Sequence, residues 1–179
     1  EARRYGKTEV LADGKEFEYR RIPDYDLRLL DQNTSYVHLT SNNTLYGTRW
    51  HSFPETGNVP LVADATSDIL SRVIDYSKFG LVYAGLQKNL GTSGTAVVII
   101  RDDLLGNPLP QTPKLLDYTI FDKNNSLPNT INVFAVYVMR LVLEWVKSKG
   151  GVSEMEKLAQ KKFKNGKKVG RWREWYDDG

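Results

Sequence analysis

The 179-residue chain has no cysteine. That excludes disulfides and thiolate metal sites, and it suits a reducing compartment, so a cytoplasmic protein is expected. Long apolar runs are also missing. The two longest, near residues 95–100 and 131–146, are short or broken by Arg140 and Glu144, so no membrane span is expected. Behind the basic residues of Glu1-Ala2-Arg3-Arg4-Tyr5 there is no apolar segment, so no secretion leader is expected. Without a secretory route the Asn-X-Ser/Thr triplets at Asn33, Asn42 and Asn124 read as chance matches.

Net positive charge is missing over most of the length. The net charge of +3 divides unevenly: seven basic and three acidic residues give +4 to residues 160–179, which leaves −1 for the other 159. A nucleic-acid binder spreads its lysines and arginines over a face. Here the basic residues cluster at the tail beside Trp172, Trp175 and Tyr176. A solvated terminal segment is the reading preferred over a polyanion contact, and no nucleic-acid partner is expected.

What is present alternates between strand-like and helix-like pieces. Residues 36–40, 60–65, 81–87 and 95–101 are short, rich in β-branched or aromatic residues, and bounded by Gly, Asn, Asp or Pro, which predicts strands. Residues 67–75 fit a short helical turn or a tight crossover. Residues 128–150 carry Val133, Phe134, Val136, Tyr137, Leu141, Val142, Leu143 and Trp145 at helical intervals before Gly150-Gly151, which predicts a helix. A second, surface helix is predicted from Ser153, with Glu156 three residues on as its capping-box partner. The fold class expected is α/β.

Two strand ends carry the polar chemistry. Val62-Ala63-Asp64-Ala65-Thr66-Ser67-Asp68 offers a carboxylate, and Tyr83-Ala84-Gly85-Leu86-Gln87-Lys88-Asn89-Leu90-Gly91 offers an amine. Ligands of open α/β sheets bind where strand carboxyl ends meet loops. Pyridoxal phosphate needs such a pair: a lysine for its aldehyde and an acid for its pyridine nitrogen. By spacing alone the ordinary alternatives stay open, because an Asp at a strand end commonly caps a turn and a loop Lys is usually solvated.

The string from Val62 to Arg101, continuing through Asp102-Asp103-Leu104-Leu105-Gly106, resembles the cofactor-binding centre of the phosphoserine aminotransferases, fold-type I enzymes of class V. Upstream, Tyr36-Val37-His38-Leu39-Thr40-Ser41-Asn42-Asn43-Thr44 is similar to the family segment whose threonine contacts the cofactor. Downstream, Ser126-Leu127-Pro128-Asn129-Thr130 resembles the stretch that reaches the partner subunit's cofactor phosphate. The resemblance covers residues 9–162 or so. It implies part of a large cofactor-binding domain with a mixed, mainly parallel sheet flanked by helices, and a homodimer. It also implies pyridoxal 5'-phosphate as cofactor, and amino transfer between glutamate and 3-phosphohydroxypyruvate, which yields phosphoserine.

Carried over residue by residue, the resemblance makes Lys88 the cofactor-binding lysine and proton carrier, and Asp64 the partner of the pyridine nitrogen. Thr44 falls near the ring oxygen or the phosphate. Gln87, with Asn129 and Thr130 of a second chain, falls at the phosphate. His38 is expected to pack within its strand, and His51 to lie in a surface loop. Ser67 and Asp68 are expected as turn and helix-start residues, with Ser67 near enough to help orient Asp64.

Several parts of the family pattern are not found here. These are the upstream glycine-rich phosphate loop, the aromatic residue stacked on the ring, and the downstream domain with its carboxylate-binding arginine. Gly91-Thr92-Ser93-Gly94 and Asn129-Thr130-Ile131-Asn132 also lack the family's prolines. The chain by itself is therefore expected to be inactive. From Phe163 the sequence resembles one MORN-type β-hairpin unit, with Asn165-Gly166 and Asp178-Gly179 as turn signals, so a partial transferase domain is expected over 1–162 and a MORN-like tail over 163–179. The competing reading is a non-catalytic α/β scaffold, a designed or chimeric binding module in which the site residues are relics.

Overall fold

The computed structural model describes residues 2–31, 33–164 and 167–168. In chain order its strands are β1 (Val37–Thr40), β2 (Asn42–Asn43), β3 (Thr48–Arg49), β4 (Leu61–Asp64), β5 (Leu81–Gly85), β6 (Ala96–Ile100), β7 (Phe163–Lys164) and β8 (Lys167–Lys168). The α-helices are α1 (Tyr118–Lys123), α2 (Val133–Ser148) and α3 (Val152–Lys162). Two compact units result. The first comprises Glu1–Ser67, Tyr76–Ala84 and Ala96–Ile131, and the second Asp68–Asp75, Gly85–Thr95 and Asn132–Gly179.

The principal sheet has the order β1-β4-β5-β6, and its strands are the four predicted ones, trimmed by one or two residues at their ends. β4 pairs in parallel with β1 on one side and β5 on the other. Bonds from Leu86 N to Thr95 O (3.1 Å) and from Arg101 N to Gly80 O (2.9 Å) bracket β5 and β6 in opposite directions, so the sheet is mixed and mainly parallel, as expected for an α/β fold.

Side chains alternate across a strand, and here the alternation separates packing from chemistry. Leu39, Leu61, Ala63, Val82 and Ala84 point to one face and are buried. Their neighbours His38, Asp64 and Tyr83 point to the other. In the same unit, Phe53 meets the buried Phe79 edge-on with ring centroids 4.7 Å apart.

In the second unit, α2 starts five residues later than the sequence pattern suggests. The Asn132 side chain accepts the Ala135 N–H, satisfying one of the donors a helix start leaves open, and that cap sets the boundary. Its end is as predicted. Gly150 and Gly151 both adopt positive φ, and Gly151 N closes onto Val146 O at 2.9 Å, the six-to-one bond of a glycine stop. Only Ala135 and Val146 of α2 are buried. None of the eight apolar residues that predicted the helix is; Val133 and Phe134 are 70% and 66% exposed.

The predicted capping box of α3 does not form. The helix begins at Val152, so Ser153 lies inside its first turn, and the Glu156 carboxylate instead accepts the Val73 N–H at 3.2 Å. α3 otherwise lies on the surface as expected. Residues 67–71 are turns and 73–75 irregular, a short turn or crossover as expected, with Leu70 in the left-handed region at φ 60°. Of the tail expected from residue 163, the described parts β7 and β8 pair antiparallel. Residues 165–166 and 169–179 lie outside the described residues.

Candidate active site

In the first unit, Asp64 is the last residue of β4, in register with Thr40 of β1 and Tyr83 of β5. Its carboxylate Oδ1 accepts the Thr66 N–H at 2.9 Å. Its main-chain oxygen accepts both Ser41 N–H (2.9 Å) and Ser41 Oγ–H (3.1 Å). The strand end is therefore held from two sides.

His38 lies within its strand, as expected, though not in the core. It occupies the same face as Asp64, with an exposed edge and its Nε2 3.1 Å from the Tyr83 hydroxyl; the two rings are stacked at 6.0 Å. Burial lowers the His38 pKa from its ordinary value, and the nearby Asp64 charge acts in the opposite direction. Burial raises the Tyr83 pKa, and the Asp64 charge and a hydrogen bond to that carboxylate raise it further. A signal for this cluster was present in the sequence. Period-2 alternation puts His38, Asp64 and Tyr83 on one face once the register of the three strands is known.

Thr44 lies in the turn between β2 and β3. Asn43 organises that turn: its Oδ1 accepts Leu45 N–H (3.1 Å) and Tyr46 N–H (3.3 Å), and its main-chain oxygen accepts Gly47 N–H (2.8 Å). Gly47 sits at φ 69°, a conformation glycine adopts without a Cβ clash. Ser67 does not orient Asp64. Its hydroxyl donates to Asn42 O and accepts from Asn42 Nδ2 at 3.1 Å, which ties the segment after β4 to β2. Asn129 and Thr130 are exposed in the connection from α1 to α2, where Asn129 Nδ2 donates to Thr130 O at 3.3 Å.

In the second unit, Gln87 and Lys88 stand on one tight turn that follows β5. Leu90 N and Gly91 N both bond to Leu86 O, at 3.2 and 2.8 Å. Leu86 and Leu90, four residues apart, are both buried, whereas Gln87 and Lys88 between them are exposed. Burying two leucines one turn apart fixes which way the intervening lysine is presented. Asn89 Nδ2 anchors the turn by donating to Ile69 O at 2.6 Å. The Gln87 amide folds back over Gly85, into space that a Cβ there would occupy until the exposed amide swung aside.

Asp68 is not merely a turn residue: it is buried and ion-paired with Arg72. His51 is exposed, as expected. Among the described residues no group of three or more His, Asp or Glu could hold a metal ion, and no helix is long and apolar enough to cross a membrane. The candidate residues thus divide between the units, Thr44, Asp64, Asn129 and Thr130 in the first and Gln87 and Lys88 in the second.

The chain resembles known proteins over most of its length. The family model described as "Aminotransferase class-V" matches residues 14–169. The chain is 51% identical over 164 residues to the phosphoserine aminotransferase of Lysinibacillus sphaericus, covering 92% of this chain and 45% of that protein. It is 52% identical over 162 residues to that of Geobacillus kaustophilus, covering 90% and 45%. The solved structure of phosphoserine aminotransferase from Bacillus circulans subsp. alkalophilus superposes with a TM-score of 0.85 at 44% identity, over 90% of this chain and 45% of that one. A pyridoxal-phosphate-bound phosphoserine aminotransferase from Trichomonas vaginalis superposes at 0.70 with 37% identity, over 74% and 37%. The chain therefore spans a little under half the length of these relatives. The class-V match runs past Phe163, and the resemblance of the tail to a MORN unit gains no support.

Proposed function

Since the chain belongs to the class-V aminotransferase family, we propose that it is the central segment of a phosphoserine aminotransferase, which moves an amino group between glutamate and 3-phosphohydroxypyruvate. One topological observation carries the reading. Asp64 closes β4, Lys88 follows β5 by three residues, and these strands are parallel neighbours. Acid and amine each come after a strand's carboxyl end, where open α/β sheets place their ligands.

The donor set suits pyridoxal phosphate, which when bound supplies an aldehyde and an electron-accepting ring. Asp64 brings a carboxylate with one oxygen already engaged by Thr66 N–H, leaving lone pairs for a ring N–H. Lys88 brings a primary amine on an exposed turn, suited to hold an aldehyde carbon and, when freed, to carry a proton on Nζ. Gln87 and Thr44 supply an amide and a hydroxyl for the phosphate and ring oxygens. In a homodimer, Asn129 and Thr130 would serve the partner's phosphate. The two substrates, the homodimer and a cytoplasmic location belong to the same proposal; the name the relatives share supports the substrates. No arginine here is assigned to the substrate carboxylate, so this chain by itself is proposed to bind substrate poorly and not to turn it over.

Reductive labelling tests the assignment. Pyridoxal phosphate followed by borohydride should tag Lys88 before any lysine of residues 161–168. A peptide map with label on the tail and none on Lys88 would overturn it.

A further inference from the structure

Three neighbouring strands place one residue each on the same sheet face. His38 comes from β1, Asp64 from β4 and Tyr83 from β5, and Asp64 and Tyr83 are partners in register. A tyrosine hydroxyl has one proton to donate and an oxygen that accepts. If that proton goes to the Asp64 carboxylate, the oxygen is left to accept from His38 Nε2, 3.1 Å away. In that arrangement the carboxylate accepts, the tyrosine relays and the histidine donates.

We propose that Tyr83 and His38 are positioning residues for Asp64: Tyr83 donates its hydroxyl proton to the carboxylate, His38 donates Nε2–H to the Tyr83 oxygen, and the aspartate is held with an edge open to a ring nitrogen. The proposal rests on the reading of Asp64 as the partner of a pyridine nitrogen. Thr66 N–H on Oδ1 and the Tyr83 hydroxyl then restrain the carboxylate through two elements of the fold. A carboxylate held in advance loses less freedom when it engages the cofactor.

The electrostatics agree. The raised Tyr83 pKa keeps its hydroxyl protonated and able to donate at neutral pH, and the lowered His38 pKa keeps the imidazole neutral there. A neutral ring places no cation near a site meant to hold a protonated pyridine. Asp64 is the charged group acting on His38; Asp64, Tyr118 and Tyr36 act on Tyr83.

The chain contains only two histidines, His38 and His51, so ¹⁵N imidazole spectra of the cofactor-free chain can be read residue by residue, with exposed His51 as an internal control. The expected result is His38 as the Nε2–H tautomer in the wild type, a mixture of tautomers in Tyr83→Phe, and a further fall of the His38 pKa in Asp64→Asn. An Nδ1–H tautomer in the wild type overturns the relay without any variant having to fold.

The second arm compares pyridoxal phosphate with its 1-deaza analogue, which lacks the ring nitrogen. Tyr83→Phe should weaken the first by roughly tenfold, the scale of one hydrogen bond to a charged group, and leave the second unchanged. Equal losses for both compounds, or no loss, would show that Tyr83 does not position Asp64. Failure to label Lys88 in the wild type would instead remove the cofactor reading, while the tautomer measurement still decides the relay.

Discussion

Asp68 and Arg72, four residues apart, form an ion pair shut away from water. Arg72 Nη2 and Nε lie 3.0 and 3.2 Å from the same Asp68 Oδ2, with side-chain exposures of 8% and 3% for Arg72 and Asp68. Around them the turn is held by Ser71 Oγ donating to Asp68 O at 2.6 Å and by Asn89 Nδ2 donating to Ile69 O. Through that last bond the buried pair supports the turn that presents Lys88.

Removing one partner strands the other charge in the interior, which costs about 3–5 kcal/mol. Arg72→Met should therefore lower the urea midpoint of the chain substantially. Asp68→Leu combined with Arg72→Met should recover much of the loss, because no unpaired charge remains. Equal midpoints for the wild type and Arg72→Met would show that the pair does not stabilise the fold.

Asp64→Asn should preserve the fold while abolishing the anion opposite the pyridine nitrogen, which weakens the ring as an electron acceptor. In an enzyme containing this segment, transamination should fall by orders of magnitude with an unchanged circular dichroism spectrum. An Asp64→Asn enzyme of near wild-type rate would remove Asp64 from the site.

The isolated chain, supplied with pyridoxal phosphate, glutamate and 3-phosphohydroxypyruvate, should show no turnover above a Lys88→Ala blank. Transamination needs cofactor and substrate held together, and catalytic gain from positioning falls steeply with misplacement. Turnover clearly above that blank would mean that the residues present suffice.

His38 also makes a prediction for stability. Its folded pKa lies below its ordinary value, near 6.5 for a free imidazole, so between those two values the unfolded chain binds the proton more readily. Stability is therefore full above about pH 6.5 and declines as the pH falls through the window below it. The gap in urea midpoint between the wild type and His38→Gln should change across that window. A gap independent of pH would contradict the depressed pKa.

Val133, Phe134 and Tyr137 form part of an exposed apolar stretch on α2, and such a patch binds hydrophobic dyes. Anilinonaphthalene sulfonate fluorescence should be high for the chain and drop in Phe134→Ser/Tyr137→Ser, with α-helical content retained. Equal fluorescence in both would show that this face is not the dye site.

The sequence by itself determined most of the main elements and singled out the residues proposed for the site. Strands of alternating or continuous apolar residues appeared where β1, β4, β5 and β6 stand, Gly150-Gly151 stopped α2, and Asp64 and Lys88 were legible because each directly follows or ends a strand. Those are local features, set by backbone preference and by residues within a turn of one another. What the sequence could not decide depended on partners far along the chain. Strand order and register bring His38, Asp64 and Tyr83 to one face although 45 residues separate the first from the last. Glu156 answers to Val73, 83 residues away, rather than to Ser153, and Ser67 bonds Asn42 rather than Asp64. The same holds for burial: an apolar pattern shows which residues would favour a core, but α2 keeps its pattern exposed, because burial also requires a neighbouring surface, and only tertiary structure supplies one.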